Sequence, residues 1–231
     1  MLLARGRPAE AEPLFRQAVE TARQILGAEH PDTLTSVNNL ASALRARGRL
    51  DDAAPLYRQT LEVRQRVLGP EHLHTLATMN NLAGLLQTQR KLDEAEPLLR
   101  QSFEALHRTL GPKHIYTLSA QNNLAYLLQE QKKTPDAERL FREVVHLGRE
   151  QFPQGAGWLA DSVIGLGSLL VDSGRAKEAE PFLREGLDIR RRTLPRGHPN
   201  IADAESRLGA CLTAIGNYAD AEPLLINALK P

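Results

Sequence analysis

One interval, 42 residues, constrains this chain more than any other property. The segment Leu26-Gly27-Ala28-Glu29-His30-Pro31-Asp32-Thr33-Leu34 returns as Leu68-Gly69-Pro70-Glu71-His72-Leu73-His74-Thr75-Leu76. It returns again as Leu110-Gly111-Pro112-Lys113-His114-Ile115-Tyr116-Thr117-Leu118, more weakly from Phe152, and recognisably from Leu194. Asn-Asn-Leu-Ala keeps the same step, opening at Asn38, Asn80 and Asn122. One alanine persists in every copy, at Ala11, Ala53, Ala95, Ala137, Ala179 and Ala221. A period of this length, held along the chain, is the mark of a stack of like units.

Each unit reads as two helices. Leu34, Val37, Leu40, Ala41 and Leu44 recur at three- and four-residue spacing, the apolar stripe of a first helix. Gly48, Gly174 and Gly216 end such stripes, as suits the left-handed position beyond a helix. Asp51 is the expected N-cap of the second helix. Its stripe is Ala53, Leu56, Tyr57, Thr60, Leu61 and Val67. Pro55, Pro97, Pro181 and Pro223 are expected in its first turn, where an N–H has no helical partner. His-Pro at His30 and His198 biases the backbone before the next helix to an extended form. The spacing predicts an orphan second helix at about 7–26, then pairs at about 32–68, 74–110, 116–152, 158–194 and 200–230. One helix pair cannot bury both apolar faces, and stacking gives a continuous core. The whole chain, 1–231, therefore reads as a single all-α array without linkers.

Composition narrows the function classes. A 42% hydrophobic content supports a core, and a net charge of +1 lacks the basic footprint of nucleic-acid binding. A single cysteine, Cys211, excludes an internal disulfide framework and multi-cysteine metal sites. It falls on an apolar stripe and is expected to be a buried, inert thiol. No apolar run is long enough to span a membrane, and the first residues do not form a secretory signal. The expectation is a cytoplasmic protein without membrane or nucleic-acid partners.

The Gly turn, the fixed alanine and the large residue after it (Phe15, Tyr57, Leu99, Phe141, Leu183, Leu225) resemble tetratricopeptide repeats. The 42-residue unit, with Asn38-Asn39-Leu40-Ala41, Ala95-Glu96-Pro97-Leu98, Arg64-Gln65-Arg66-Val67-Leu68-Gly69 and Glu29-His30-Pro31-Asp32-Thr33-Leu34, is similar to the kinesin light chain array. The resemblance implies a right-handed superhelical solenoid of antiparallel helix pairs. It implies a non-catalytic protein–protein interaction scaffold whose concave groove takes an extended peptide. Arrays of this kind also serve as sensor or scaffold segments of signalling proteins. A structural spacer or a regulatory fragment of a larger signalling protein is therefore the alternative. Nothing in the chain resembles the heptad segment of a kinesin light chain, so a motor role is not expected.

The resemblance carries the groove to the second Asn of each pair, Asn39, Asn81 and Asn123, with the first, Asn38, Asn80 and Asn122, facing nearby. Asn is a mediocre helix former, so three pairs in mid-helix need a reason. An amide offers two donors and an acceptor oxygen, matching a peptide group whatever its side chain. The other reading is that one Asn of each pair bonds a neighbouring helix. Family groove positions also carry to Arg45 and Arg64, with Arg190 repeating Arg64 and Leu106 and Gly148 departing from it. Glu130, Asp161, Asp172 and Asp203 make the later lining acidic. Arginine pairs well with carboxylates, so the ligand is expected to be acidic.

Other features read as structural. Arg16, Arg100, Arg142 and Arg184 follow Glu12, Glu96, Glu138 and Glu180 by four residues, the spacing of helix-surface ion pairs. His30, His72, His114 and His198 are equivalent loop positions, a repeat apart, too far to share one ion. In the fourth copy Gln154-Gly155-Ala156-Gly157-Trp158 replaces the loop and Ile164-Gly165 replaces Asn-Asn. Trp158 is either a ligand anchor or packing for that loop. No phosphate loop, nucleophile elbow or paired-acid site occurs, so neither catalysis nor a cofactor is expected. Leu14, Phe15, Val19 and Ile25 of the orphan helix are expected to be covered by the array from one side only, with the open side covered by end-to-end self-association or by flanking repeats.

Overall fold

The computed structural model describes residues 8–152 and 156–229. Among them are eleven α-helices and no strand. They group into two compact units, residues 1–111 and 112–231. Unit 1 holds α1 (Pro8–Leu26), α2 (Pro31–Ala46), α3 (Leu50–Val67), α4 (Leu73–Thr88) and α5 (Leu92–Leu110). Unit 2 holds α6 (Ile115–Glu130), α7 (Thr134–Gln151), α8 (Gly157–Asp172), α9 (Ala176–Thr193), α10 (Pro199–Ala214) and α11 (Tyr218–Ala228). Within each unit every helix packs on the next in sequence, and first helices also touch each other, α2 with α4, α6 with α8, and α8 with α10. The result is an all-α helical solenoid.

The repeated small residues are the reason the helices can approach. Ala53, Ala95, Ala137 and Ala179 are fully buried, as are Ala41, Ala83 and Ala125 on the facing first helices. Gly48, Gly174 and Gly216 take positive φ at +75°, +75° and +80°. Where the sequence offers no glycine, Arg90 and Lys132 adopt the same conformation, at +61° and +60°.

Two local expectations need correction. Arg49, not Asp51, is the N-cap of α3, and it makes no side-chain cap bond; Asp51 lies inside the first turn. Because α3 begins at Leu50, Pro55 falls inside the helix, beyond the first turn. Its ring therefore removes a bond that Asp51 O would have accepted. Pro13, Pro97, Pro181 and Pro223 lie inside their helices in the same way.

The loop histidines act as caps. Nδ1 of His30, His72, His114 and His198 accepts the backbone N–H two residues on, at 3.1–3.2 Å. Each has extended backbone, ψ 132–139°. Side-chain acceptors satisfy first-turn N–H groups that have no helical partner. At the start of α8 Ala156 offers no such acceptor. Gln154, Gly155 and the residues ahead of Pro8 lie outside the described residues.

On the outer helices the Glu-to-Arg pairs form, at 2.8–2.9 Å for Glu12–Arg16, Glu96–Arg100, Glu138–Arg142 and Glu180–Arg184. Arg58–Glu94 joins neighbouring second helices in unit 1; Arg142–Glu178 and Arg184–Asp220 do so in unit 2. Half-exposed pairs of this kind contribute about 0–1 kcal/mol each. Glu12 is more deeply held, receiving Arg47 and Arg49 from the far end of α2 as well as Arg16. At the outer faces Leu14 and Ile25 of α1 and Leu229 after α11 are exposed, whereas Val19 is buried.

Candidate functional site

The first helices of unit 1 carry two amide pairs in different states. Asn38 is buried, and its Oδ1 accepts from Asn81 Nδ2 at 3.4 Å, linking α2 to α4. Asn80 donates to Leu76 O at 3.1 Å and to Ser102 Oγ of α5 at 2.8 Å. The first Asn of each pair thus ties helices together. Asn39 and Asn81 are half-buried, and Asn39 makes no side-chain hydrogen bond to another described residue. Adjacent residues point about 100° apart, so Asn39 makes no internal bond although its neighbour Asn38 does, while Asn81 spends one N–H on Asn38.

Arg45 lies across the same face. Its guanidinium covers Gly84 of α4 so closely that an added Cβ there would sit 3.0 Å from Nη1. Behind it the Tyr57 hydroxyl is 2.8 Å from Ser42 Oγ. Burial pushes the Tyr57 phenol above its ordinary value.

Arg64 sits behind that face rather than on it. It is 2% exposed, and burial pushes its guanidinium below the ordinary value. Nη1 donates to His74 O at 2.9 Å and to Thr78 Oγ1 at 2.8 Å, and Nη2 donates to Thr35 Oγ1 at 2.8 Å. None of these partners is a carboxylate. The nearby His74 imidazole is held below its usual value, first by burial and then by the charges of Arg64 and His72, against the pull of Asp32.

Unit 2 begins in the same style and then changes. Asn122 Oδ1 accepts from Ser162 Oγ at 2.8 Å, and Asn123 is half-buried without a bonded partner among the described residues. One repeat on, Gly165 stands in the second-Asn position. A Cβ there would lie 2.8 Å from both Tyr126 Oη and Phe141 Cε1. The Tyr126 hydroxyl donates to Asp161 O at 2.6 Å, and its ring meets Phe141 edge-on. The amide series stops here because an aromatic side chain crosses the helix. Ile164, in the first-Asn position, packs over Gly186 in the same complementary way. Leu159 and the edge of the Trp158 indole fill the space over Gly148, whose counterpart in unit 1 is Arg64, and Trp158 meets Phe152 edge-on.

A charged network follows. Arg190 donates to Asn200 O at 2.5 Å, to Asp161 Oδ1 at 3.0 Å and to Asp203 Oδ2 at 3.1 Å. Arg207, in the next second-Asn position, binds both oxygens of Asp203 and donates to Ser168 Oγ at 2.9 Å. Asp161 and Asp203 are thus committed to arginines of their own unit. Sequence reasoning took them as free acidic lining; the signal that could have revealed the pairing was Arg190 in the Arg64 register. The histidine caps were likewise missed, although the fixed two-residue offset was visible. Cys211 is buried, as expected, and burial pushes its thiol up. Among the described residues no three His, Cys, Asp or Glu side chains form a group able to hold a metal, and no helix is long and apolar enough to cross a membrane.

Comparison with known proteins agrees with this geometry. The family model described as Tetratricopeptide repeat matches residues 1–66, 34–106, 75–149 and 158–230. The crystal structure of BtubC (BKLC) from P. vanneervenii is similar with a TM-score of 0.79 at 21% identity, covering 96% of this chain and 89% of that one. A Podosopora anserina protein of kinesin light chain type, with nearly identical TPR-like repeats, gives a TM-score of 0.72 at 26% identity, covering 87% and 95%. YrrB, described as a TPR protein with an unusual peptide-binding site, shares the fold at a TM-score of 0.52 and 16% identity, covering 93% and 90%. No functionally curated protein shows a significant match. Tetratricopeptide repeats generally mediate protein–protein interaction and are typically non-catalytic. The chain belongs to the tetratricopeptide repeat family, and its 42-residue units are similar to those of kinesin light chain-like repeat proteins.

Proposed function

We propose that the first-helix face of unit 1 binds an extended, acidic segment of a partner protein. The observation that carries this reading is the half-buried amide pair Asn39 and Asn81, on α2 and α4: Asn39 makes no internal side-chain bond, and Asn81 spends one amide N–H on Asn38 Oδ1 while its carbonyl oxygen makes none. Such amides can pair with a peptide backbone irrespective of its side chains. Arg45, lying over Gly84 on the same face, supplies a cation to the ligand, and Arg64 adds positive charge from behind. Asn38 and Asn80 hold the facing helices in register, and Asn123, supported by Asn122, repeats the amide position in unit 2. The peptide site in YrrB's description lends the reading precedent within the fold. A cytoplasmic setting belongs to the same proposal.

Selection from a library of extended peptides, followed by titration, tests it. Asn81→Ala is expected to weaken a selected peptide by roughly two- to tenfold, the equivalent of one hydrogen bond of about 0.5–1.5 kcal/mol. Unchanged affinity with lowered stability would make Asn81 a purely structural amide. Selected peptides rich in Lys and Arg would remove the acidic preference.

A further inference from the structure

Arg64 and Arg190 occupy the same position in units three repeats apart, and both are nine-tenths or more buried. Their backbone anchors also correspond: Arg64 donates to His74 O and Arg190 to Asn200 O, likewise three repeats apart. The side-chain partners differ. Thr35 accepts from Arg64 Nη2, whereas Asp161, its counterpart, accepts from Arg190 Nη2. Ala77 has Asp203 as its counterpart, and Asp203 accepts from Arg190 Nη1. Both positions lie on first helices, and Thr35 is half-buried while Ala77 is exposed.

We infer that the residue pair at Thr35 and Ala77, against Asp161 and Asp203, decides which charge a buried arginine presents to the first-helix face, and so which ligand groups each unit admits. In unit 1 hydroxyls and a carbonyl fix the guanidinium without cancelling its charge. Its field reaches the surface and favours a carboxylate of the bound segment. In unit 2 two carboxylates face one guanidinium, and Arg207 balances the second of them. That surface presents no net positive charge at this point and gives an anionic ligand no advantage. Charge acting through a poorly solvated neighbourhood is screened far less than charge in open water. Thr35 and Ala77 are thus specificity-determining through what they omit, a form of selection that works by leaving a charge unpaired. The inference rests on the reading of the first-helix face as the binding face.

Arg64, His72 and Asp32 act together on His74, which lies beside Arg64 at the start of α4. A thiol placed at Ala77→Cys reads their combined field directly, since Cys211 is buried with its thiol pushed up and stays silent. The pH midpoint of its alkylation by iodoacetamide is compared with Thr35 in place and after Thr35→Asp. The reciprocal pair is Asp203→Cys with Asp161 in place and after Asp161→Thr. A nearby cation favours thiolate and a nearby carboxylate disfavours it, by about 0.5–1 pH unit for partly exposed groups. The midpoint is expected to rise on Thr35→Asp and to fall on Asp161→Thr. Thr35→Asn keeps an acceptor without charge and is expected to leave it where it was. The second arm measures fluorescence anisotropy with a labelled Glu-rich octapeptide and its Gln counterpart. Ala77→Asp alone is expected to reduce the Glu-over-Gln preference about threefold, and with Thr35→Asp about tenfold. Thiol midpoints insensitive to Thr35→Asp and Asp161→Thr overturn the inference, whatever the peptides do. Shifted midpoints with no Glu preference in the unaltered protein uphold the electrostatic inference and remove the acidic-ligand reading.

Discussion

Arg64 and Arg190 stand in one repeat position, and the chain has solved the same burial problem in two ways. In unit 1 the guanidinium is held by Thr35, Thr78 and a carbonyl; in unit 2 it is held by Asp161, Asp203 and a carbonyl. The carbonyl is constant because the repeat fixes backbone geometry. The side chains differ between the units and in exposure: Thr78 is fully buried and Thr35 half-buried, whereas Asp161 and Asp203 are about half exposed. Architecture and charge are therefore set by different residues, and the repeat can hold one while the other drifts. The amides differ in the same way: Gly165 stands in the second-Asn position where Tyr126 crosses, and the residue in the Tyr126 register opposite Asn81 is the smaller Ser42.

The sharpest way to break this comparison is to force the features of unit 1 onto unit 2. Gly165→Asn places a Cβ within 3 Å of Tyr126 and Phe141. Overpacking of this kind costs typically about 1–3 kcal/mol, and both neighbours are rings with little room to turn. We expect a loss near 3 kcal/mol in urea unfolding, and a smaller cost of the same substitution in a Tyr126→Gly background, read from a double-mutant cycle. Gly84→Ala is the contrast in unit 1. There the near atoms are the flexible end of Arg45, so the helix-propensity gain of about 0.5–1 kcal/mol should cancel or exceed the crowding.

A smaller effect separates the two arginines. Arg190→Met leaves Asp161 and Asp203 without their shared cation. Both are about half exposed, so the penalty is well below that of a fully buried pair, about 1–2 kcal/mol. Arg64→Met removes a buried charge from neutral partners and is expected to cost less than about 1 kcal/mol. Equal losses in chemical denaturation would mean that the carboxylates contribute nothing distinctive.

Acid sensitivity gives the smallest difference. Burial raises the Glu12 carboxyl, but the bonds and charges of Arg16, Arg47 and Arg49 outweigh it and hold the group below the usual range. Glu138 is lowered likewise against burial, by Arg175 and Arg142. Both contributions are complete above the unfolded carboxylate value and fade as pH falls through the folded one. His74 acts earlier and only in unit 1. Its folded value lies below the ordinary one of about 6.5, so its contribution is full above that pH and declines below it. The protection of α4 amides, exchange rates normalised to the intrinsic rate at each pH, is expected to fall on moving from pH 7 to pH 5, and His74→Gln should flatten that response.

Most of the architecture was legible because apolar periodicity and small-residue spacing are properties of the chain itself. The Gly48, Gly174 and Gly216 turns and the buried alanines follow from them directly. The start of α3 was misread at Asp51 because an acidic residue in a first turn resembles a cap in sequence. The site was legible only in outline. Which Asn of a pair bonds inward depends on a rotation of about 100° between neighbours, and the partners Ser102 and Ser162 lie on other helices. The Asp161–Arg190–Asp203 cluster joins three helices, and no spacing rule within one helix could announce it.

Trp158 has a consequence of a different kind. It is the chain's only tryptophan, and its indole edge lies against Gly148 beside Leu159, with Nε1 buried and lacking a partner. Any loosening of α7 from α8 lets water reach that N–H and moves the emission to longer wavelength. Unit 1 has no indole, and its buried phenol, Tyr57, reports only in the ultraviolet edge of the spectrum. The protein therefore carries a built-in colour difference: tryptophan light follows one unit while the other melts in the dark.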